Sequence, residues 1–421
     1  MKGTKAQLIF NTTQTCFYLY TWEKKTAAEI RGVVGNWFEN MVTLKHLSVN
    51  DNDEDSVPLL PEASSLESPT TQHSRAESRE FFLSRRNNFI LSIALLLSCY
   101  SAILVPAYLP TPEPTWTNDT SAETLALLNH SAALLSQSCR SGWSVERVRT
   151  LSIPAGLLKI PVFLENGTGD WALPPPLGLQ GSEEMLAQAL KALPNTAVPT
   201  GPETCRRCVV VGSGGILHGK NLGPHIDQYN IIIRVNNAPV FGYEKDAGSR
   251  TTIRLIYPEG APSQPQEYES TEVVALVAFK SLDLAWLISV VTKEPLSWWS
   301  KLWFWKNVID SIPLQPENIR ILNPEIMYRT GQVLQTYAEQ QKKMVPTLGI
   351  TAAVLALQVC DEVSLAGFGY DLQHPGALLH YYGSIRMDAM NTQVVHDVSA
   401  ETILLRELVK SGAVRDLTGA L

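Results

Sequence analysis

The glycine-rich run Gly212-Ser-Gly-Gly follows three consecutive valines, a composition typical of a turn between a strand and a helix. Such a turn exposes backbone N–H groups and a helix N-terminus, and both favour a phosphate. The third glycine of the dinucleotide-binding fingerprint is displaced, because Leu217 occupies its place. The run therefore predicts a nucleotide site, with an ordinary tight turn as the alternative.

Two amides, Asn236 and Asn237, follow the apolar residues 231–235. In an NAD-binding fold, an Asp or Glu at this place would hold the ribose. An amide can bond to a ribose or a pyrimidine, but it lacks the charge. The pair therefore favours a nucleotide other than NAD and disfavours a nucleotide-dependent oxidoreductase.

Cys205-Arg-Arg-Cys208 has the two-residue spacing of zinc and redox motifs. A zinc site would need a second such pair or histidines at matching spacing, and neither is evident in the sequence. The chain has six cysteines, which are too few for a disulfide scaffold. They could form one or two disulfides in an oxidising compartment.

The elements that must position these residues alternate along the chain from about Cys205. Residues 209–211 and 231–235 are predicted to be buried strands, 351–358 to be helical and 363–366 to be a further strand. Alternation of this kind predicts an α/β fold with a mostly parallel sheet and helices on both faces. Ligands bind such sheets at the carboxyl ends of the strands, where residues 212–215 and 236–237 should lie.

The composition suits a globular protein and excludes one class of partner. Hydrophobic residues make up 45% of the 421 residues and charged residues 18%, as expected for a domain with a sizeable core. The formal net charge is −7. A nucleic-acid-binding protein needs clustered excess Lys and Arg, so nucleic acid is not an expected partner.

An uncharged apolar segment of 20 residues, 89–108, is long enough to cross a bilayer core of about 30 Å. Arg85 and Arg86 precede it, and positive charge stays on the cytoplasmic side. A buried core helix is the alternative. The sequence thus predicts a type II single-pass protein, with a disordered cytoplasmic tail at 1–88, a signal-anchor helix at 89–108, a luminal stem at 109–150 and one luminal domain at 151–421.

Three N-glycosylation sequons lie on the predicted luminal side, at Asn118, Asn129 and Asn166. Four prolines between residues 106 and 114 predict a stiff, extended stalk after the apolar segment. Both features fit the predicted orientation.

Four segments, taken in chain order, resemble the sialylmotifs of the animal sialyltransferases. The large motif corresponds to Cys208-Val-Val-Val-Gly-Ser-Gly-Gly together with Ile231-Ile-Ile-Arg-Val-Asn-Asn-Ala-Pro and Gly248-Ser-Arg-Thr-Thr. The small motif corresponds to Pro346-Thr-Leu-Gly, Cys360-Asp-Glu-Val and Gly367-Phe-Gly-Tyr-Asp. The third motif corresponds to His380-Tyr-Tyr, and the very small one to His396-x4-Glu401.

This resemblance implies a single Rossmann-like domain of the GT-A-like type in the Golgi lumen. It also implies inverting transfer of sialic acid from CMP-sialic acid to a galactose hydroxyl. Tyr257-Pro-Glu-Gly-Ala-Pro is similar to the α2,3 group, and short segments between residues 216 and 324 favour a lactosylceramide acceptor and ganglioside biosynthesis. Asp246 and residues 174–180 are closer to members that act on glycoprotein N-glycans, so N- or O-glycan galactose is the alternative acceptor.

The resemblance also implies roles for individual residues. Ser213, Asn236, Thr347, Gly349 and Tyr381 are expected to bind CMP-sialic acid. His380 is expected to donate to the departing phosphate, together with Tyr381. His396 is expected to be the general base, and Glu401 to support the local structure. The implied disulfides are Cys208–Cys360 and Cys139–Cys205.

The chemistry of the implied reaction explains these residue types. CMP is a good leaving group, so the barrier lies in an oxocarbenium-like centre and a weakly nucleophilic sugar hydroxyl. A histidine base contributes typically about 10²- to 10⁴-fold, and a donor on the phosphate stabilises the charge that develops as CMP leaves. The Asp-x-Asp patterns that would hold a metal lie at 51–55, in the predicted tail, so we predict no metal and no cofactor besides the donor substrate.

The expected partners are CMP-sialic acid, a galactose-terminated glycolipid or glycoprotein and the Golgi membrane, with a homodimer left open. A non-catalytic Golgi glycan-binding protein of the same fold is the alternative of another class. The five tryptophans at 286, 298, 299, 303 and 305 have two interpretations. They pack in the core, or they form a surface that meets the acceptor or the membrane.

Overall fold

Seven parallel strands form one sheet in the computed structural model, and this confirms the predicted parallel α/β fold. The structure describes residues 121–151, 153–154, 156–165, 173–194, 204–339, 345–370, 374, 376–392 and 395–421. The strands are β1 (Arg207–Val211), β2 (Ile231–Val235), β3 (Thr251–Ile256), β4 (Thr271–Leu276), β5 (Ile319–Ile321), β6 (Glu362–Ala366) and β7 (Val414–Asp416).

The strand order is β5-β4-β3-β2-β1-β6-β7. From β1 the chain moves outward, strand by strand, to β5 and then returns to place β6 on the other side of β1. The direction of winding therefore reverses between β1 and β6. In doubly wound sheets, ligands bind in the crevice at the carboxyl ends of the strands at such a reversal, so the topology itself points to the loops after β1 and β6.

Helices cover both faces of this sheet, as predicted. In chain order they are α1 (Ala122–Ser136), α2 (Trp143–Val148), α3 (Glu183–Ala192), α4 (Gly223–Ile226), α5 (Glu244–Ala247), α6 (Gln266–Glu269), α7 (Ser281–Thr292), α8 (Trp298–Lys301), α9 (Pro324–Leu334), α10 (Leu348–Val359) and α11 (Val398–Lys410). Short 3₁₀ turns lie at Leu157–Lys159, Gly215–Leu217, Pro258–Gly260, Pro316–Asn318 and Met387–Thr392.

Alternate residues of the central strands enter different core clusters, because successive side chains of a strand point to opposite faces. Ile231 and Ile233 of β2 pack in the cluster that contains α10, whereas Ile232 packs in a cluster with α4. Every residue of β2, β3 and β6 is buried. Ten of the twelve residues of α10 are buried too, which explains why this helix has almost no polar residues.

Two disulfides join distant parts of the described chain and confirm both predicted pairings. Cys208 of β1 bonds to Cys360 at the end of α10, 152 residues later. Cys139 bonds to Cys205 across 66 residues. The residue after Cys139, Arg140, pairs with the buried Glu362 at 2.9 Å, so the segment between α1 and α2 is fixed to the strands.

Helices α1 and α2 lie within the predicted stem, and in the structure they belong to the same compact unit as the sheet, Thr117–Leu421. Asn129 is exposed on α1. The predicted tail, the apolar segment 89–108, Asn118 and Asn166 lie outside the described residues. Among the helices that the structure describes, none is both long and apolar enough to span a bilayer.

Candidate active site

The loops after β1 and β6 cross each other at the reversal point of the sheet. The N–H of Gly212 donates to the carbonyl oxygen of Ala366 at 2.8 Å, and the N–H of Gly214 donates to Gly367 at 2.9 Å. A Cβ on either glycine would lie 2.5 Å from the carbonyl oxygen of Gly367. The glycines are thus required by the close approach of two backbones.

The sequence predicted that backbone N–H groups of this loop are free to bind a phosphate, and for three of them this prediction is wrong. Those of Gly212 and Gly214 are used as described, and the N–H of Gly215 donates to Leu379 at 3.1 Å. A three-residue 3₁₀ turn, Gly215–Leu217, follows the loop in place of the expected helix. The loop therefore bonds to the neighbouring segments of the chain and fixes the positions of their side chains.

His380 is one of the side chains that this loop positions. It pairs with Gly214 in an antiparallel bridge, and its ring stacks on Tyr382 with centroids 5.1 Å apart. Burial lowers the pKa of His380 below its ordinary value. A neutral imidazole has one N–H to donate, so His380 at neutral pH is a hydrogen-bond donor of the kind that a departing phosphate needs.

Tyr381, which is expected to bind CMP-sialic acid, and its neighbour Tyr382 both contact Ser213. Tyr381 is 1% exposed, and its hydroxyl donates to the carbonyl oxygen of Pro239 at 2.6 Å. Burial raises the pKa of Tyr382, and a hydrogen bond with the Ser213 side chain opposes that rise. The N–H of Tyr381 donates to the carbonyl oxygen of Ser213 at 3.0 Å, so both tyrosines lie beside this predicted donor-binding residue, and Tyr381 also fixes the loop after β2. The aromatic pair His380 and Tyr382, at i and i+2, was the signal available in the sequence.

Asn236 lies directly after β2 in the left-handed region of backbone conformation, with φ of 53°. Its side-chain oxygen Oδ1 is buried and has no hydrogen-bond partner among the described residues. A Cβ on Gly260 would lie 2.6 Å from this oxygen, so the amide faces the turn after β3. Because protein atoms cover this oxygen, the part of Asn236 that a ligand at the predicted nucleotide site would meet is its amide nitrogen Nδ2, which only donates.

A buried ion pair holds Asn236 in place. Arg254 of β3 is fully buried and pairs with Glu267 at 3.0 Å. The same guanidinium donates to the backbone carbonyl oxygens of Asn236 and Ala238 at 3.0 and 2.8 Å. Removing one member of such a pair leaves an uncompensated buried charge, which costs about 3–5 kcal/mol. Sequence reasoning missed both residues, because an Arg in a buried strand has no local pattern that predicts its partner.

Thr347 and Glu401 join the start of α10 to α11. The N–H of Thr347 donates to Glu401 Oε1 at 2.7 Å, and its hydroxyl donates to Oε2 at 2.5 Å. The Thr347 hydroxyl oxygen also accepts from the N–H of Ile350, as an N-cap does. The predicted supporting role of Glu401 fits these contacts, since its carboxylate fixes Thr347, the second residue of the small motif.

Gly349 lies one residue inside α10, against the ring of Phe368. A Cβ on Gly349 would lie 3.3 Å from that ring, and a Cβ on Gly212 would lie 3.0 Å from it. The ring of Phe368 thus lies close to Gly212 of the large motif and to Gly349 of the small motif. The structure brings Ser213, Thr347 and Gly349 to one end of the sheet, as predicted.

His396 is held by its Nδ1, which lies 2.6 Å from the carbonyl oxygen of Val345. A carbonyl oxygen only accepts, so this contact places the proton on Nδ1 and leaves Nε2 unprotonated in the neutral ring. An unprotonated Nε2 is the group that a general base needs. The contact also fixes the segment before Thr347.

Glu401 provides a test of this part of the site. Burial raises the pKa of Glu401 from 4.5 to about 7. The folded state therefore binds the proton of Glu401 more tightly than the unfolded state does. The contribution of this group to the free energy of unfolding is fully present below pH 4.5 and is lost as the pH rises to about 7. We expect the free energy of unfolding to fall by about 3 kcal/mol over that range through this group.

Glu401→Gln is expected to remove this part of the pH dependence, measured by urea unfolding between pH 4.5 and 8. Glu407→Gln is the matched control, because it lies on the same helix with a side chain 41% exposed. Equal pH dependence in wild type and Glu401→Gln would contradict the assignment.

Among the described residues, no group of three or more His, Cys, Asp and Glu side chains is placed to hold a metal ion. Cys205 and Cys208, the spacing that resembled a zinc motif, each bond to a different cysteine.

Known proteins are similar to this chain over the residues that form the candidate site. The model of glycosyltransferase family 29 (sialyltransferase) matches residues 165–413. Human lactosylceramide alpha-2,3-sialyltransferase is 49% identical over 255 residues, which cover 59% of this chain and 61% of that protein. Rat CMP-N-acetylneuraminate-beta-1,4-galactoside alpha-2,3-sialyltransferase is 38% identical over 293 residues, which cover 67% of this chain and 78% of that protein.

A solved structure has the same fold. It is the crystal structure of a mammalian sialyltransferase in complex with Gal-beta-1-3GalNAc-ortho-nitrophenol, which is 28% identical, with a TM-score of 0.50 over 62% of this chain and 92% of that one. The chain spans about three fifths of the human relative's length. The residues matched by the family model include all seven predicted catalytic and donor-binding residues.

Proposed function

The chain belongs to glycosyltransferase family 29, the sialyltransferases, and we propose that it transfers sialic acid from CMP-sialic acid to the 3-hydroxyl of a terminal galactose. The observation that carries this proposal is the match of residues 165–413 to the family model, with α2,3-sialyltransferases at 38% and 49% identity. Transfer proceeds by direct attack of the galactose hydroxyl, so the anomeric carbon of sialic acid is inverted.

The donor is bound at the carboxyl ends of β1, β2 and β6. Asn236 contacts the nucleotide through its amide nitrogen Nδ2, because its Oδ1 is buried against the turn after β3. Thr347 and Gly349 contact the nucleotide from the start of α10, and Ser213 with Tyr382 contacts the phosphate. The residue that holds Asn236, Arg254, is a positioning residue.

Two histidines perform the proton and charge work of the transfer. Nε2 of His396 takes the proton from the galactose hydroxyl, because Nδ1 is engaged with Val345. His380 donates its N–H to the phosphate as the bond from sialic acid to CMP breaks, and this stabilises the developing negative charge. A non-catalytic glycan-binding protein would need neither histidine in this arrangement.

Lactosylceramide is the proposed acceptor, and galactose on glycoprotein N- or O-glycans is the second candidate. The first is favoured by 49% identity to the human lactosylceramide enzyme, and the second by the 38% identity to the β-1,4-galactoside enzyme. Asp246, which suggested the second acceptor, accepts from the N–H groups of Gly219 and Asn221 and so has a local structural role.

The proposed location is the Golgi membrane, with the domain in the lumen and the segment 89–108 as a type II anchor. Two disulfides support an oxidising compartment. Formation of a homodimer stays a prediction.

A panel of acceptors tests the proposed function. The full chain in detergent micelles is incubated with CMP-sialic acid and lactosylceramide, an N-glycan or an O-glycan with terminal galactose, and the product linkage is determined. Transfer to lactosylceramide at the 3-hydroxyl is the expected result. CMP binding without transfer to any acceptor would instead support the non-catalytic alternative.

Activity is expected to survive EDTA, because CMP carries one phosphate and needs less charge neutralisation than a nucleotide diphosphate. The measurement is the initial rate in excess EDTA and after the addition of manganese. A strict requirement for manganese would overturn the metal-independent mechanism.

A further inference from the structure

Five apolar side chains near α8 are exposed: Trp298, Trp299, Leu302, Trp303 and Trp305, by 64%, 70%, 49%, 63% and 66%. We call them the tryptophan surface. Packing in the core, one of the two interpretations of this segment, applies to Trp286 alone, which is 1% exposed. At 150–250 Å² for each aromatic side chain and about two-thirds exposure, the four indoles present on the order of 400–650 Å² of surface in total, whereas the largest apolar patch on a typical soluble monomer is about 300–600 Å².

The tryptophan surface is held by local contacts. Ser297 caps α8, since its hydroxyl oxygen accepts from the N–H of Ser300 at 3.1 Å. Lys301 pairs with Asp310 at 2.5 Å, and the rings of Trp298 and Trp299 meet edge to face at 4.7 Å. The indoles are thus presented to solvent on an ordered turn of the chain.

Phe304 connects the tryptophan surface to the candidate active site. Its ring is buried and lies 4.9 Å from the ammonium group of Lys280. Lys280 pairs with Glu259 at 3.0 Å and with Asp283 at 3.1 Å. Glu259 belongs to the turn Pro258–Gly260, which lies against Asn236. The surface is therefore three contacts away from the predicted donor site.

We propose that the tryptophan surface binds the interfacial region of a lipid bilayer and so holds the active site at the membrane that carries the acceptor. This inference rests on the proposed function, in which the acceptor galactose is attached to a ceramide. Tryptophan is the side chain most suited to this region, because its ring is apolar and its N–H can bond to headgroups.

Charge and tether length agree with a bilayer as the occupant. Residues 293–310 contain three lysines and two acidic residues, whereas the whole chain has a net charge of −7. The segment's net charge of +1 means that it does not bring the negative charge of the whole chain to the headgroup region. Twelve residues, 109–120, separate the predicted anchor from Ser121, and a fully extended chain of that length spans at most about 45 Å.

The test uses the full chain reconstituted in phosphatidylcholine vesicles that contain lactosylceramide. We expect Trp298→Ser/Trp299→Ser to lower kcat/KM for vesicle-borne lactosylceramide at least tenfold and to change kcat/KM for free lactose less than twofold. Leu125→Ser/Ile403→Ser is the matched control, because both residues are exposed apolar side chains outside the tryptophan surface. It should leave both values unchanged, and Trp298→Phe/Trp299→Phe should restore part of the loss.

A second readout does not depend on catalysis. Brominated phosphatidylcholine should quench the tryptophan fluorescence of the wild type more strongly than that of Trp298→Ser/Trp299→Ser. Equal losses for both acceptors, or equal quenching in both proteins, would overturn the inference. Loss of a dimer in the variant with unchanged quenching would overturn it too, since the surface would then join two copies of the chain. If the wild type sialylates neither acceptor, the proposed function fails, and quenching alone decides whether the surface meets the bilayer.

Discussion

Replacement of His396 by alanine is expected to lower the rate of sialic acid transfer about 10²- to 10⁴-fold while CMP binding persists. The imidazole is the only group assigned to take the proton of the acceptor hydroxyl, and its loss leaves the donor contacts of Asn236 in place. The measurements are kcat with CMP-sialic acid and an acceptor, and the Kd of CMP by calorimetry.

The CMP measurement separates catalysis from structure. Because His396 Nδ1 is bonded to Val345, two residues before Thr347, a purely structural role would weaken CMP binding together with turnover. His130→Ala is the matched control, since His130 is exposed on α1. A His396→Ala variant that keeps more than a tenth of wild-type turnover would exclude His396 as the base.

Loss of the Cys208–Cys360 disulfide is expected to destabilise the domain by about 5 kcal/mol, which is comparable to the whole stability of many domains. The disulfide closes a loop across 152 residues, so it removes much of the freedom of the unfolded chain. Cys360→Ser should therefore fail to accumulate as folded protein at 37 °C. Unfolding of the full chain, followed by circular dichroism with and without reducing agent, measures the effect.

Two further variants test whether the loss of stability depends on the length of the loop that the disulfide closes. Cys139→Ser opens a shorter loop, across 66 residues, and should cost about 4 kcal/mol in the same model. Cys16→Ser is the control, because Cys16 lies in the predicted cytoplasmic tail and belongs to neither of the two disulfides. Active protein in which Cys208 and Cys360 are mapped as free thiols would contradict the prediction.

The sheet could be predicted from the sequence because its strands are nearly continuous apolar runs. Residues 231–235 were predicted as a strand and are β2, and 363–366 lies within β6. Buried parallel strands read in this way since both of their faces are covered. Helix α10 was found for the same reason, from its run of apolar residues.

Contacts between distant segments were the part that local pattern could not provide. The glycines after β1 were predicted to serve a ligand, whereas they allow the loop after β6 to approach. A glycine lets another group approach the backbone closely whether that group is a ligand or a second loop. The sequence pattern is therefore the same, and only the structure shows that the group is the loop after β6. Likewise, Tyr381 and Tyr382 are neighbours in sequence, and only the fold decides which of them is buried.

Charged residues in strands were missed for a related reason. Arg254 is as buried as the leucine that follows it, and its partner Glu267 lies on a short helix that precedes the next strand. No periodicity links the two. The resemblance to a family pointed to the residues that touch substrate, and the structure adds those that hold them.

The strand order also sets when the sheet can be completed during synthesis. Strands β1 to β5 can pair in the order in which they leave the ribosome, but one edge of β1 stays open until β6 arrives. The 152 residues between Cys208 and Cys360 take roughly 8 to 30 s to synthesise at 5–20 residues per second. For that time an apolar central strand is exposed as an edge, which is the arrangement most prone to wrong pairing. The nascent chain is therefore expected to depend on chaperones until β6 (Glu362–Ala366) has been made.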